Sequence, residues 1–193
     1  MASFTKKAIK QSLIKLLNER PMNQITVKDV VEDCGINRNS FYYHYQDLPS
    51  LVEEIVLEEA DQIIQKYPEV ESLEQCLAVA AEFALKNKKA ALHLYHSTNR
   101  ESFEKSLMRV CEHVVATYTD RILQGQSIDP EDRAVFIRYY KCECFGQMID
   151  WMDSGMKKEA LDQLHRLLQL RKGMAEELLR RRMTQTRQTK PNA

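Results

Sequence analysis

The sequence predicts an all-α fold, and three observations predict it. Glycine and proline number only five each in 193 residues; where the two strongest chain breakers are this scarce, long helices are favoured over strands and tight turns. Apolar side chains recur three and four residues apart through most of the chain, the spacing that lines one side of a 3.6-residue turn. The polar breaks between these stretches hold helix-capping residues rather than hairpin turns.

With 44% of residues apolar and 29% charged, the chain can build a core and is not a disordered polyelectrolyte. Its length suits one large domain, or a small domain joined to a larger one. Formal net charge is zero, but its distribution is uneven. Residues 1–47 carry seven Lys or Arg against five Asp or Glu, residues 48–77 carry eight acids with Lys66 as their one base, and the stretch from Arg171 is basic again. Backbone attraction to nucleic acid is local and screened, so a local positive face suffices for it. An odd number of cysteines (Cys34, Cys76, Cys111, Cys142, Cys144) and no recognisable leader argue against a disulfide framework. No run of 18 apolar residues exists to span a membrane, and the expected compartment is the cytoplasm.

In order along the chain, Phe4, Ala8, Ile9, Leu13, Leu16 and Leu17 form one apolar stripe, and Arg20-Pro21 ends that helix. Thr26 is an N-cap with Asp29 three residues on, and Val27, Val30 and Val31 face inward from a short helix closed by Cys34-Gly35-Ile36. Asn37 caps a second short helix over about 38–44. Asp47 caps a third, about 48–66, with Pro49 just inside it. Further helices are expected at about 72–87, 89–95, 100–123, 130–154 and 157–182, with breaks at Gly125-Gln126-Ser127 and Ser154-Gly155. The expected division is a head over 1–47 and a larger helical domain over 48–193. The helix 48–66 joins them, and the tail is expected to be disordered from about 183.

Two short helices about a glycine turn make a helix-turn-helix. The stretch Thr26–Leu51, TVKDVVEDCGINRNSFYYHYQDLPSL, resembles the TetR family of bacterial regulators at Thr26, Val27, Val30, Cys34-Gly35-Ile36, Phe41-Tyr42-Tyr43-His44-Tyr45, Asp47 and Leu51. The resemblance covers roughly residues 5–52 and extends more weakly to 139–155 and 157–180. It implies a homodimer of all-helical chains, a three-helix DNA-binding head, and a C-terminal domain holding the dimer interface and usually a small-molecule pocket. Most members repress transcription and release DNA when an effector binds. Arg38, Asn39 and Ser40 open the second short helix with side chains suited to guanine, adenine or either. Tyr42, Tyr43 and His44 follow, with polar tips that reach phosphates. Phe41 is read as the core residue pinning this helix to Val30 and Ile9. Thr26 and Lys28 are candidate phosphate contacts, Thr26 being equally a plain cap. The position after Asp47, often lysine in the family, is Leu48 here. Either the helix 48–66 adds less to DNA affinity, or its own N–H groups serve.

Elsewhere the signals are weaker. His93 and His96 have metal-compatible spacing but nothing completes a site, so no metal or cofactor is expected. They join Tyr95, Met108, Tyr118, Tyr140 and Met148 as candidate linings of an effector pocket, with ordinary core packing as the alternative. Cys142 and Cys144, two apart on a helix, make a poor chelate; burial is the default and redox sensing the other option. Phe145, Met148, Ile149 and Met152 form a stripe with Trp151 beside it, and Leu161, Leu164 and Leu168 form another on the next helix. They are read as a four-helix dimer interface, or else as the closure of a monomer core. No motif of nucleophile, phosphate loop or paired carboxylates suggests an enzyme. The expected function is a repressor on a palindromic double-stranded operator, released by a small molecule. The alternatives are a coactivator of the same fold controlled by a protein partner, and a helical scaffold that binds no DNA.

Overall fold

The computed structural model describes residues 2–66, 81–82, 84–97, 100–123, 126 and 128–188. Every regular element among them is helical: α1 (Ala2–Glu19), one 3-10 turn (Met22–Gln24), α2 (Val27–Asp33), α3 (Arg38–His44), α4 (Leu48–Lys66), α5 (Lys88–Tyr95), α6 (Arg100–Leu123), α7 (Pro130–Asp153), α8 (Lys158–Leu170) and α9 (Met174–Gln188). The fold is all-α, as expected. Most of the helix expected over 72–87, with Cys76, and the break residues Gly125 and Ser127 lie outside the described residues.

The chain divides into two compact units, residues 1–59 with 83–107 and residues 60–82 with 108–193. The sequence reading divided it at 47. In the structure α4 up to residue 59, together with 83–107, belongs with the head. The core of the first unit joins Ile9, Leu13 and Leu17 of α1 to Val30 and Val31 of α2, Phe41 of α3, Leu51 and Val52 of α4, and Ala90 and Leu94 of α5. Phe4 does not join it and is 80% exposed. Five residues at roughly 100° each carry Phe4 about 140° around the helix from Ile9.

Local chemistry sets the ends of these helices. The Thr26 side chain accepts from the Asp29 amide at 3.3 Å while Asp29 Oδ2 accepts from the Thr26 amide at 2.8 Å, a reciprocal capping box on α2. Gly35 takes φ +70 and turns the chain toward α3. Asn37 Oδ1 accepts from the Ser40 amide at 2.8 Å, and Asp47 Oδ1 from the Ser50 amide at 2.8 Å, capping α3 and α4.

In the second unit α7 buries Phe136, Ile137, Tyr140, Cys144, Trp151 and Met152, and α8 buries Leu161, Leu164 and Leu168. At the corner between them Gly155 has φ +74 and Met156 φ +53. The left-handed conformation costs a non-glycine residue about 1–2 kcal/mol. Met156 is 1% exposed, and burying such a side chain contributes about 1.5–3 kcal/mol, enough to hold it there. The single helix expected over 157–182 is two helices, broken at Arg171–Gly173 where Gly173 takes φ +83. The last helix then runs on to Gln188, beyond the point at which the sequence reading placed disorder.

Candidate nucleic-acid interface

Helix α3 has seven residues. A helix this short is not stable alone, so its neighbours must hold it. Phe41 is fully buried with Val30 and Ile9, as the sequence suggested, and Tyr45 just past the helix is 4% exposed. The rings of Phe41 and Tyr45 lie 5.8 Å apart, and Phe41 meets Tyr42 edge-on at 5.5 Å. With that side anchored, Arg38, Asn39, Tyr42 and Tyr43 face solvent, and Ser40 and His44 are half-buried. Tyr43 is 83% exposed and Tyr42 56%. Two large aromatic side chains left in water beside an exposed arginine and asparagine make a surface suited to grooves and phosphates rather than to a protein core.

The predicted contact residues differ in how free they are. Arg38 makes no ion pair among the described residues. The Ser40 hydroxyl donates to Asn37 Oδ1 at 3.1 Å, leaving its lone pairs for a partner. The Thr26 hydroxyl donates to Asp29 Oδ2 at 2.6 Å. Hydrogen bonds from the Thr26 side chain and amide, with Arg20 adding to them, pull the Asp29 carboxyl down to about 2. Arg20 Nη2 lies 3.1 Å from that carboxylate. Lys28 is 3.6 Å from Glu32, both well exposed; such a pair is worth little and yields readily to a phosphate. Lys15 pairs with Asp33, and Lys6 and Lys10 pair with Glu54. Much of the head's positive charge is thereby committed internally, which a count of charges along the sequence does not reveal.

The expected pocket residues are divided between the two units. His93, Tyr95 and His96 fall in the first unit, and Met108, Tyr118, Tyr140 and Met148 in the second. His93 Nδ1 is 2.7 Å from the Leu17 carbonyl oxygen, and Tyr95 is fully buried with the Arg100 guanidinium 4.3 Å above its ring. His96 is exposed, and Met108 and Met148 are half-buried. The Tyr118 hydroxyl donates to Glu176, and Tyr140 packs on Phe136 with Arg171 over its ring. A cavity of about 20 Å³ in the first unit, lined by Met22, Pro49, Val52, Leu94, Phe103 and three serines, has room for a water molecule. No group of metal ligands forms among the described residues. Cys144 is buried and Cys142 exposed, the two pointing about 200° apart on one helix. Burial pushes the Cys111 thiol up to about 12.

Five residues of the expected dimer stripe are buried within the single chain. Trp151, Met152, Leu161, Leu164 and Leu168 are each at most 7% exposed in the single chain, and Trp151 Nε1 donates to the Lys157 carbonyl at 3.2 Å. Side chains with no surface left have nothing to offer a partner; these close the subunit core. Phe145, Met148 and Ile149 keep partial exposure. The apolar surface of this unit lies instead at Val135 (63% exposed), Tyr139 (60%), Leu170 (78%), Met174 (55%) and Leu178 (48%). The periodicity that suggested the interface could not tell an inward stripe from an outward one on the same helix.

An all-helical chain whose short second helix is pinned from behind and polar-aromatic in front is a helix-turn-helix DNA-binding protein. Residues 12–55 match the family model for bacterial regulatory proteins of the tetR family, and residues 71–173 match a TetR model described as a transcriptional regulator C-terminal region. The chain belongs to the TetR family of transcription regulators, whose general function is DNA-binding regulation. Over 48 residues it is 33% identical to YxbF of Bacillus subtilis (strain 168), an uncharacterized HTH-type transcriptional regulator, a stretch covering 25% of this chain but only 13% of that protein. Among solved structures, the dihydroxyacetone kinase operon activator DhaS superposes with a TM-score of 0.55 at 15% identity, covering 93% of this chain and 96% of that one. A TetR transcriptional regulator from Streptococcus agalactiae 2603V gives 0.54 at 21% identity, covering 86% and 92%. NalD, the secondary repressor of the MexAB-OprM multidrug efflux pump in Pseudomonas aeruginosa, gives 0.50 at 15% identity, covering 87% and 96%. These three likenesses establish the fold alone. No helix among the described residues is long and apolar enough to cross a membrane.

Proposed function

We propose that the chain is a homodimeric repressor that reads a two-fold symmetric operator with one α3 from each copy, and leaves it when a small molecule binds the C-terminal domain. Arg38, Asn39, Tyr42 and Tyr43 meet base edges and sugars, with Ser40 and His44 at the margins and Thr26 and Lys28 on the phosphate backbone. The observation that carries effector control is α4. It is one uninterrupted helix from Leu48 to Lys66, and Leu48, Leu51 and Val52 at its start, all at most 8% exposed, share the core that buries Phe41 of the recognition helix. A shift along it therefore reaches α3. The dimer face is Val135, Tyr139 and Cys142 on α7, continued by the half-buried Phe145, Met148 and Ile149, with Leu170, Met174 and Leu178 as the second strip. Such a face, if large enough, is costly to leave in water. Selection of random duplexes by the purified protein should return a motif with half-sites about 34–36 Å apart or a multiple of that. Deleting the gene should raise transcription beside such a motif. An asymmetric motif would sink the two-headed reading.

A second reading, a coactivator governed by a protein partner, has an observation of its own. Tyr95, Tyr118 and Tyr140, the aromatic part of the suggested pocket, are already engaged by Arg100, Glu176 and Arg171. DhaS is described as an activator and NalD as a repressor, so the fold is compatible with either sense. A fall in the neighbouring transcript on deletion, with no small molecule able to release the DNA, would favour this reading.

A further inference from the structure

The recognition helix is fixed at its far end by a polar node that lies outside the DNA-facing surface. Tyr45, the residue closing α3, donates from its hydroxyl to Glu54 Oε1 at 3.1 Å. The same carboxylate takes Lys6 Nζ at 3.0 and 3.1 Å and Lys10 Nζ at 2.6 Å, both from α1. Lys10 also reaches Glu58 one turn further along α4, and Lys6 stands 5.4 Å from the centre of the Tyr45 ring. One carboxylate on α4 thus holds α1, α4 and the end of α3 together. Burial pushes the Glu54 carboxyl up, but Lys10, Lys6 and Tyr45 outweigh it and leave it below the usual range, so it stays ionised.

The Tyr45 ring is buried in the head core, and a phenylalanine would fill that volume equally well. What the hydroxyl adds is direction. Apolar contacts at Phe41 let a short helix rock and roll with little penalty, whereas a charge-assisted hydrogen bond at 3.1 Å fixes the angle at which it leaves the core. In the sequence Glu54 stands out only as one of the eight acids over residues 48–77.

We propose that Glu54 is a positioning residue for DNA reading: through Tyr45, Lys6 and Lys10 it sets the orientation of α3 against α1 and α4, without touching DNA itself. It rests on the assignment of α3 as the reading helix, and its test has one arm that needs no DNA. Tyr45→Phe removes a single oxygen and Glu54→Gln removes the charge while keeping an acceptor. Both variants and the wild type are titrated with the duplex that the wild-type protein selects from a random library, and with a scrambled duplex of equal length. We expect a loss of about tenfold on the selected duplex, the order of a lost charge-assisted bond, with affinity for the scrambled duplex unchanged and the melting temperature kept within a few degrees. In the free protein, amide hydrogen exchange should quicken at residues 41–45 and not in α1 or α2. Equal losses on both duplexes with a large fall in melting temperature would make the node merely structural and overturn the proposal. Unchanged discrimination with unchanged exchange in both variants would overturn it too. Faster exchange at 41–45 with no DNA preference in the wild type would keep the positioning role and count against α3 as the reading helix. Tyr45→Phe carries the test if Glu54→Gln does not fold.

Discussion

The two compact units expose apolar side chains of different kinds. Among the described residues, the exposed large apolar ones are Phe4, Tyr42 and Tyr43 in the first and Val135, Tyr139, Leu170, Met174 and Leu178 in the second. An exposed tyrosine keeps its hydroxyl on water and can exchange that water for a phosphate or a base edge, so α3 can be covered and uncovered repeatedly. Valine, leucine and methionine have no such exchange to make, and a patch of them in water favours a standing partner. On the proposed reading, α3 offers the surface of a reversible contact, and the Val135, Leu170, Met174 and Leu178 patch that of a lasting one.

The comparison breaks most severely at the two buried anchors. Phe41→Ala and Trp151→Ala each remove a fully buried ring, and each should destabilise its own unit by about 3–5 kcal/mol. Chemical denaturation followed separately through head and C-terminal probes would check this. Loss of both units together in either variant would mean that the units do not melt independently. Next in size is Tyr139→Glu. At 60% exposure it should change subunit stability by no more than about 0.5 kcal/mol, yet it puts a charge into the proposed dimer face. Sedimentation should show a monomer, and operator affinity should fall although the head is intact. A folded dimer in this variant would move the interface elsewhere on the unit.

What could be read from the sequence divides along the same line. The Thr26 and Asn37 caps and the Gly35 turn are local: the residues that make each lie within a few positions of one another, and the structure has them as expected, with Asp29 closing a full capping box besides. Phe41 against Val30 and Ile9 is not local, but the family pattern supplied it. The burial of Trp151 was not legible, because periodicity gives a helix its stripe and not the neighbour that covers it; in the structure its ring nitrogen donates to the Lys157 carbonyl just past the Gly155 corner. The break at Gly173 was missed because the leucines on either side keep one helical phase through it. The Glu54 node was illegible because its four members come from three separate segments.

Within the head, the reading and gripping residues should separate by the form of their loss. Arg38→Ala should weaken the selected operator by about 1–3 kcal/mol and flatten base preference at one position per half-site, because an exposed arginine with no ion pair among the described residues can take a base edge. Titration against single-base operator variants checks it; an equal loss on every sequence would make Arg38 a phosphate contact. Lys28→Ala should cost less and cost it uniformly. The slope of log affinity against log salt should fall by about one per head, and an unaltered slope would take Lys28 off the DNA.

The smallest expected effect concerns acid. Asp29 is held at about 2 against an ordinary value of 3.8, so the folded head binds this proton more weakly than the unfolded chain does. Its contribution is present above the unfolded value and is lost as pH falls through the folded one, in a window from about 4 down to about 2. Asp33, lowered by Lys15 and Ser12, and Glu54 shift in the same direction and lose their contributions on the acid side as well. Glu59 opposes them, since burial pushes its carboxyl up. Asp29→Asn keeps a carbonyl oxygen for the Thr26 amide but removes the charge that Arg20 and the α2 dipole favour. The carboxylate is solvent-exposed, so the difference is modest. Melting temperatures of wild type and variant, followed from about pH 5 to about pH 2, should begin apart and converge as Asp29 protonates. Curves that stay parallel throughout would mean that the capping box holds α2 without help from the charge, and that the head loses its fold in acid through Asp33 and Glu54 instead.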